Sequence, residues 1–474
     1  MGLLLFNSMT RKKEAFEPRL PGKTGIYVCG VTVYDYCHIG HARVMVVFDV
    51  VVRHLRAMGL EVTYVRNFTD IDDKIIARAQ QNGESWEALT RRFIGAFQED
   101  MAALAVLPAD VEPLATAHVA EMQSLISRLL DNRLAYVTEG GDVYFAVDRF
   151  QPYGALSGKP LDELQSGARV GVDEQKANPL DFALWKSAKP GEPTWQSPWG
   201  PGRPGWHIEC SAMSTRYLGE SFDIHGGGMD LIFPHHENEI AQSQGAAGQA
   251  PVRYWMHNGF VNVVSSEGER EKMSKSLGNF RTIRELLQEH PGEVLRYFIL
   301  NSHYRHPLDF SNSLLEGAKA ALDRLYTVLR QGEERLQSAP DGEADPGRLQ
   351  EFQGCRERFV AAMDDDFNTP KALAVLFELG KALNSLDGAS RRTGEEGLAL
   401  MRELGLRLGL LQAEPERWFQ GPSADNAEIE ALIDQRNQAR RTRQFAEADR
   451  LRDALLAMGV VLEDSKQGTT WRRN

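Results

Sequence analysis

The feature that most constrains this chain is a turn near its N-terminus, Cys29-Gly30-Val31-Thr32-Val33-Tyr34-Asp35-Tyr36-Cys37-His38-Ile39-Gly40-His41. An apolar run, Ile26-Tyr27-Val28, leads into it. The segment that follows places Val44, Val47, Phe48, Val51, Val52 and Leu55 on one face of a helix beginning near His41 and stopped by Gly59. Val62-Thr63-Tyr64-Val65 then reads as a second strand. Strand, crossover helix and strand make a βαβ unit, whose first turn is the usual seat of a nucleotide phosphate. His38, Gly40 and His41 stand where free backbone N–H groups favour an anion, and Gly40 lets a ligand come close. Two imidazoles there can donate to phosphate oxygens. Taken alone, the four residues describe a tight turn with solvated histidines equally well.

A second motif lies far downstream, Lys272-Met273-Ser274-Lys275-Ser276. Two lysines on a loop of small residues suit a phosphate that gains charge in a transition state. A solvated basic loop would look the same if the pentapeptide stood by itself. The pair is more specific. It resembles the two signatures of class I aminoacyl-tRNA synthetases, which close over ATP from the two halves of a split Rossmann fold. The resemblance implies charge stabilisation by His38, His41, Lys272 and Lys275, and ATP contacts from His38, Gly40, His41, Lys272, Ser274, Lys275 and Ser276.

The chain has 474 residues, 42% hydrophobic and 25% charged, as in a globular protein of two to four domains. No apolar run approaches the ~20 residues that span a bilayer, and Met1 to Phe6 is too short for a signal peptide. A cytoplasmic protein is expected. A net charge of −12 argues against a non-specific nucleic-acid coat but leaves room for a local basic face. Four cysteines do not make a disulfide framework, and Cys37 and Cys355 read as packed thiols.

Along the chain, Asp70 or Thr69 is expected to cap the helix after the βαβ unit, with nearby acids complementing its dipole. Helical patterns follow over 85–105 and 114–133. Ala135 to Val147, with Gly140-Gly141 between, reads as a hairpin, and 150–205 shows little periodicity. This stretch resembles an insertion between the two Rossmann halves. Phe222 to His225 makes a strand, Gly226-Gly227-Gly228 a loop, and Pro234 the first turn of a helix carrying His235 and Glu239 on one face. Thr282 and Glu285 form a capping box. From about 315 to 415 the pattern is helical, broken by a polar linker over 338–347. Asp364-Asp365-Asp366 precedes a helix with Thr369 as cap, which explains the acids without a metal.

Cys29, Cys210, His235 and Glu239 form a third constellation. No CxxC pair exists, so spacing alone leaves them as two buried thiols, a turn histidine and a capping acid. Within the class I synthetases, the cysteine-specific branch holds one zinc through two Cys, one His and one Glu. They sit on a Cys before the first signature, a Trp-His-x-Glu-Cys segment and a His-His-Glu-Asn-Glu helix start. The same elements stand here at Cys29, Trp206 to Cys210, and His235 to Glu239. The resemblance therefore implies one Zn²⁺ held by Cys29, Cys210, His235 and Glu239. Zinc suits this chemistry because serine is nearly isosteric with cysteine, and the metal prefers a thiolate to a hydroxyl. Trp206 is expected to wall the substrate pocket, with Thr69, His207, His225 and His236 as further candidates. Each of these histidines reads equally well as a packed residue.

The last segment reads as one helix from Ile429 to about Met458, rich in arginine. From 436 onward there are nine Lys or Arg against five Asp or Glu, a net +4. With Trp471 this makes an RNA face, arginines for phosphate and the ring for an unpaired base, or else an ordinary charged helix. The resemblance implies a split Rossmann catalytic domain with an insertion, then a helical bundle and a small C-terminal anticodon-binding domain. The expected bounds are 1–120 and 206–262 for the halves, 121–205 for the insertion, and 263–315 for the lysine loop and stem contacts. The bundle takes 316–415 and the anticodon domain 420–474. The implied activity is activation of cysteine by ATP with Mg²⁺ and transfer to the 3′ end of tRNA(Cys), by a monomer. Two rivals remain: an ATP-dependent ligase joining cysteine to an amino sugar, and a tRNA-binding relative without catalysis.

Overall fold

The computed structural model describes residues 2–158, 176–264, 270–272, 280–420, 426–464 and 469–473. It divides into two compact units, one built mainly from Met1–Ala318 and the other mainly from Lys319–Glu357, Val375–Leu406 and Leu410–Asn474.

The first unit opens with a hairpin, β1 (Leu4–Asn7) and β2 (Lys12–Ala15). The βαβ unit follows as β3 (Lys23–Thr32), α1 (Ile39–Ala57) and β4 (Glu61–Thr69). Both strands run longer than their apolar cores because pairing starts at Lys23 and Glu61 and ends at Thr32 and Thr69, with one irregularity between Val28 and Val31. Beyond a half-buried Val44 the apolar stripe of α1 is buried, with Phe48, Val51 and Leu55 fully inaccessible. Next come α2 (Asp73–Asn82), α3 (Trp86–Ala103) and α4 (Val119–Asp131). Asp72 caps α2, its carboxylate accepting from Lys74 N, so the expected caps Asp70 and Thr69 are corrected. Asp70 instead holds the N–H and hydroxyl of Thr116, and Thr69 donates to Glu209.

The insertion is more ordered than its sequence suggests. β5 (Ala135–Val137), β6 (Val143–Phe145), β7 (Phe182–Ser187) and β8 (Gly202–Pro204) form one antiparallel sheet. Short strands with buried Phe145, Leu184 and Trp185 leave too few residues for a period to show.

The main fold resumes with α5 (Trp206–Leu218), β9 (Phe222–Gly228), α6 (Glu237–Ala247) and β10 (Val252–Asn258). β10, β9, β3 and β4 make a four-stranded parallel sheet in that order. The glycine triplet is the end of β9 rather than a loop. It is in a strand because Phe48 packs on it: a Cβ at Gly226 would stand 2.2 Å from that ring. Pro234 does not open a regular helix either. Phe233 is extended (φ −137°, ψ 132°), and the regular helix begins at Glu237.

β11 (Val261–Val264), β12 (Arg270–Lys272) and β13 (Leu308–Phe310) make a small sheet. α7 (Ile283–Glu289) carries the expected capping box, Thr282 accepting from Glu285 N while Glu285 accepts from Thr282 N. α8 (Gly292–Leu300) follows.

Helices α9 (Asn312–Ser338), α10 (Pro346–Asp364), α11 (Thr369–Asn384) and α12 (Arg391–Leu408) match the helical pattern, and α13 (Pro415–Gln420) ends it. The cap of α11 is Asn368, which accepts from Lys371 N; the Thr369 hydroxyl turns away to the Leu300 carbonyl at 2.6 Å. The three acids before it are partnered by protein. Asp364 meets His54, Asp365 meets Lys13 and Lys371, and Asp366 takes Arg305 and Tyr304.

The expected single C-terminal helix is two, α14 (Asn426–Arg441) and α15 (Phe445–Ala457), followed by a hairpin of β14 (Val460–Asp464) and β15 (Thr469–Arg473). Arg443 turns the chain with φ 61°. Trp471 is buried among Ile429, Ile433, Leu455 and Val460, so it cannot stack on RNA.

Candidate active site and metal centre

Ligands of open parallel sheets bind beyond the carboxyl ends of the strands. Here that edge carries a cavity of about 390 Å³. Cys29, Gly30, His38, Gly40, His41, Trp206, Asp230 and Asn258 are among its lining residues. A larger groove of about 560 Å³ opens at the opposite ends of the strands, around Lys23, Thr63 and Asp223, away from both motifs.

The local chain path explains the lining. β3 loses register with β4 between Val28 and Val31, and such an irregularity re-aims side chains. Gly30 donates to Asn67 Oδ1 at 2.9 Å, and a Cβ on it would fall 1.6 Å from the Asn67 carbonyl oxygen. Only glycine fits there, and it sets Cys29 toward the interior.

His38 is the cap of α1. Its Nδ1 accepts from Gly40 N at 3.0 Å, while Nδ1 of His41 accepts from His38 N at 3.1 Å. A neutral imidazole that accepts at Nδ1 carries its proton on Nε2. Both rings are thereby set as Nε2–H donors, the form that suits a phosphate. Arg43, a residue the sequence reading missed, is fully buried behind this turn. Its guanidinium donates to the carbonyls of Gly259, Phe260, Tyr304 and His306, and burial pushes its pKa down to about 10. It ties α1 to the segment between β10 and β11 that lines the cavity. An arginine directly before the apolar residues of this helix was the available sign of it.

The lysine motif lies at the edge of what is described. Lys272 ends β12, its side chain and residues 273–279 lying outside the described residues, and so do the expected contacts of Ser274, Lys275 and Ser276. The flanks are described. Ile39 N donates to the Arg281 carbonyl at 3.3 Å, and Ile283 N to the Cys37 carbonyl at 2.9 Å. The chain leaving the lysine motif is thus paired with the histidine turn.

Behind the cavity wall is a buried cluster of donors. Cys29 Sγ stands 3.7 Å from Cys210 Sγ and 3.4 Å from Glu239 Oε1, and His235 Nε2 is 3.1 Å from the same carboxylate oxygen. Ligand atoms of Cys29, Cys210, His235 and Glu239 all lie within 4.8 Å of one another, and so do those of Cys29, His225, His236 and Glu239. A tetrahedral zinc with Zn–S of about 2.3 Å puts two sulfurs about 3.8 Å apart, so the thiol pair fits a metal without movement. Electrostatics point the same way. No lysine or arginine among the described residues pairs with Glu239. Burial therefore pushes Cys29 and Glu239 up and His225, His235 and His236 down, a state that a divalent cation would reverse.

Of the expected pocket residues, Trp206 lines the cavity and stacks on His235 at 4.2 Å. Thr69, His207, His225 and His236 do not line it. His207 Nδ1 meets His235 Nδ1 at 2.9 Å, and His236 Nδ1 meets His257 Nε2 at 2.8 Å. Asp230, which the sequence reading passed over, does line it. Its cue was an acid two residues past the glycine triplet.

A parallel sheet with a histidine-capped helix at its edge and a paired downstream segment agrees with a class I aminoacyl-tRNA synthetase, the class whose catalytic-domain model matches this chain. Models of three families match: "tRNA synthetases class I (C) catalytic domain" over 15–320, "DALR domain" over 358–412, and "Cysteinyl-tRNA ligase anticodon binding domain" over 426–472. A cysteine–tRNA ligase of Magnetococcus marinus is 60% identical, covering 100% of this chain and 98% of its own length. One of Thioalkalivibrio sulfidiphilus is 59% identical, over 99% of this chain and 100% of its own. The methionyl-tRNA synthetase of Mycobacterium tuberculosis, solved with methionyl-adenylate, shares the fold at a TM-score of 0.64 and 17% identity, over 86% of this chain and 96% of its own. The chain belongs to the cysteine–tRNA ligase family. It is a ligase that joins cysteine to tRNA, and neither the amino-sugar ligase nor the non-catalytic rival is supported. Among the described residues no helix is long and apolar enough to cross a membrane.

Proposed function

We propose that this ligase selects its substrate thiol at a zinc held by Cys29, Cys210, His235 and Glu239. The observation that carries this is the buried 3.7 Å pair of thiols beside a carboxylate that no lysine or arginine partners among the described residues. Bound there, zinc supplies a bond to a thiolate that serine cannot make well. ATP with Mg²⁺ sits against the histidine turn. His38 and His41 donate through Nε2 to its phosphates, and Lys272 and Lys275 add positive charge from the lysine loop, with Gly40, Ser274 and Ser276 as close contacts. The cysteine carboxylate attacks the α-phosphate, pyrophosphate leaves, and the acyl group passes to the 3′ end of tRNA(Cys). Positioning and fixed charge supply the rate, with no side chain as nucleophile. Trp206 walls the thiol's side, and Asp230 is placed to accept from the substrate ammonium. The enzyme acts as a cytoplasmic monomer. Its catalytic halves are 1–120 and 206–262, the insertion 121–205, the lysine loop and stem contacts 263–315, the bundle 316–415 and the anticodon domain 420–474.

The test is metal content beside charging. Cys210→Ser is expected to lose bound zinc and the preference for cysteine over serine, while His225→Gln keeps its zinc. The reverse pattern would move the ion to Cys29, His225, His236 and Glu239. For the lysine loop, Lys275→Ala is expected to slow adenylate formation by more than about tenfold with zinc retained.

A further inference from the structure

The cavity at the sheet edge has to receive polyanions, ATP and the 3′ end of a tRNA. Among the described residues that line it, Lys74 is its one lysine or arginine. We propose that Lys74 is a substrate-binding residue of this ligase, whose ammonium contacts a substrate phosphate in the cavity. The inference rests on the ligase activity and adds a residue to it.

Position is the first argument. Asp72 caps α2 by accepting from Lys74 N at 2.9 Å, which fixes the backbone of Lys74 at the start of that helix. From there the side chain folds over the Tyr34 ring, with Nζ 5.6 Å from its centroid. Tyr34 lines the same cavity and lies four residues before His38. Lys74 is exposed, so its ammonium is within reach of a ligand entering the cavity.

Charge balance is the second argument. Two neighbouring acids are matched within the protein. Asp73 takes Lys186 at 2.7 Å and also Arg203, and Asp35 takes Arg78 at 3.2 Å. No carboxylate among the described residues pairs with Lys74. Its positive charge is left over, and it faces the space that phosphates enter. A mobile ammonium is a point charge, suited to a phosphate whose position changes along a reaction.

The phosphate has two sources, ATP and the unpaired 3′ end of tRNA, and the experiment separates them. Lys74→Gln and Lys74→Arg are made in the full chain. Each is assayed for cysteine-dependent ATP–pyrophosphate exchange without tRNA, and for single-turnover transfer from preformed cysteinyl-adenylate to tRNA. The glutamine variant is expected to lose at least about tenfold in one of the two, with the arginine variant within about threefold of wild type and unfolding temperatures unchanged. A raised KM for ATP in exchange assigns the nucleotide. A slowed transfer with normal exchange assigns the 3′ end of tRNA. Both reactions within twofold of wild type in Lys74→Gln would overturn the proposal. So would an equal loss in both variants, or a loss matched by a lower unfolding temperature. A wild-type protein that forms no adenylate would sink the ligase reading itself, a separate failure.

Discussion

The backbone N–H of Ile283 donates to the carbonyl of Cys37 at 2.9 Å, joining the residue before the histidine turn to the first residue of α7. Among the described residues, that helix is the first one after the lysine motif. Its geometry is set by the Thr282–Glu285 capping box, and the bridge between His38 and Thr282 completes the pairing. The histidine turn and the start of α7 are therefore joined by main-chain pairing, with the capping box setting where the helix begins.

The first prediction concerns that joint. Thr282→Ala removes one side of the capping box, a loss of about 1 kcal/mol at a helix start. Amide exchange of Ile283 is expected to speed up about fivefold, while strands β3 and β9 keep their protection. Equal protection at Ile283 in variant and wild type would show that the cap does not govern the joint.

A second prediction is a pH dependence from Asp100 on α3. Its carboxylate is buried. Nε of Arg284 lies 3.1 Å away, and Oδ2 has no hydrogen-bond partner among the described residues. Burial raises it to about 6, against the pull of Arg284 and with a small push from Glu99. An unfolded carboxylate titrates near ~4. Between about pH 4 and 6 the folded chain thus keeps a proton that the unfolded chain has released, so this group's contribution to stability falls as pH rises through that window. Asp100→Asn removes the dependence. Its unfolding temperature relative to wild type is expected to climb from pH 4 to pH 7, and a constant difference would count against it.

What the sequence told, and what it hid, follows from how local each cause is. The βαβ unit was legible because its apolar residues repeat at the period of the element that buries them. The Thr282–Glu285 box was legible because both partners lie within one turn. The break between α14 and α15 was hidden, since Thr442, Arg443 and Gln444 include neither Gly nor Pro and the turn relies on a left-handed arginine. Trp471 looked available because burial by Ile429 and Leu455 is a tertiary fact. Asn368 was passed over as a cap because Thr369 is an equally good candidate until the Leu300 carbonyl claims its hydroxyl. At the donor cluster, spacing offered four scattered residues. Only the fold brings Cys29 and Cys210 together, and it brings His225 and His236 as close, a choice the sequence could not frame.

The third prediction addresses the contact behind the donors. His207 meets Nδ1 of His235 at 2.9 Å, which turns Nε2 of His235 toward Cys29 and Glu239. Partners that orient a metal-binding imidazole typically matter by about 10- to 100-fold in affinity. His207→Ala is therefore expected to give up zinc to a chromogenic chelator at least about tenfold more readily, with the fold intact. Unaltered competition would mean that Trp206, stacked on the same ring, is enough to hold it.

The fourth prediction separates two aromatic residues of the C-terminal segment. Trp471 is 3% exposed and packs the core of this segment, whereas Phe445 is 63% exposed at the first position of α15. Arginines nearby divide in the same way. Arg436 and Arg440 are spent on Asp464, Arg450 on Glu447, and Arg452 on Asp449. Arg441 and Arg443, beside Phe445, are exposed and have no acidic partner among the described residues. The ring that can stack on an unpaired base is thus Phe445, with cations at hand for the backbone. Stacking of one base is worth about 1–3 kcal/mol, so Phe445→Ala is expected to lower kcat/KM for tRNA by about tenfold and leave tRNA-free pyrophosphate exchange unchanged. Trp471→Ala is expected to act through stability, at a cost of about 3–5 kcal/mol, and to melt the C-terminal segment before it alters any reading of tRNA. If Phe445→Ala charges tRNA as well as wild type does, RNA is read elsewhere on this segment, and the paired arginines would have to exchange Asp464 for phosphate.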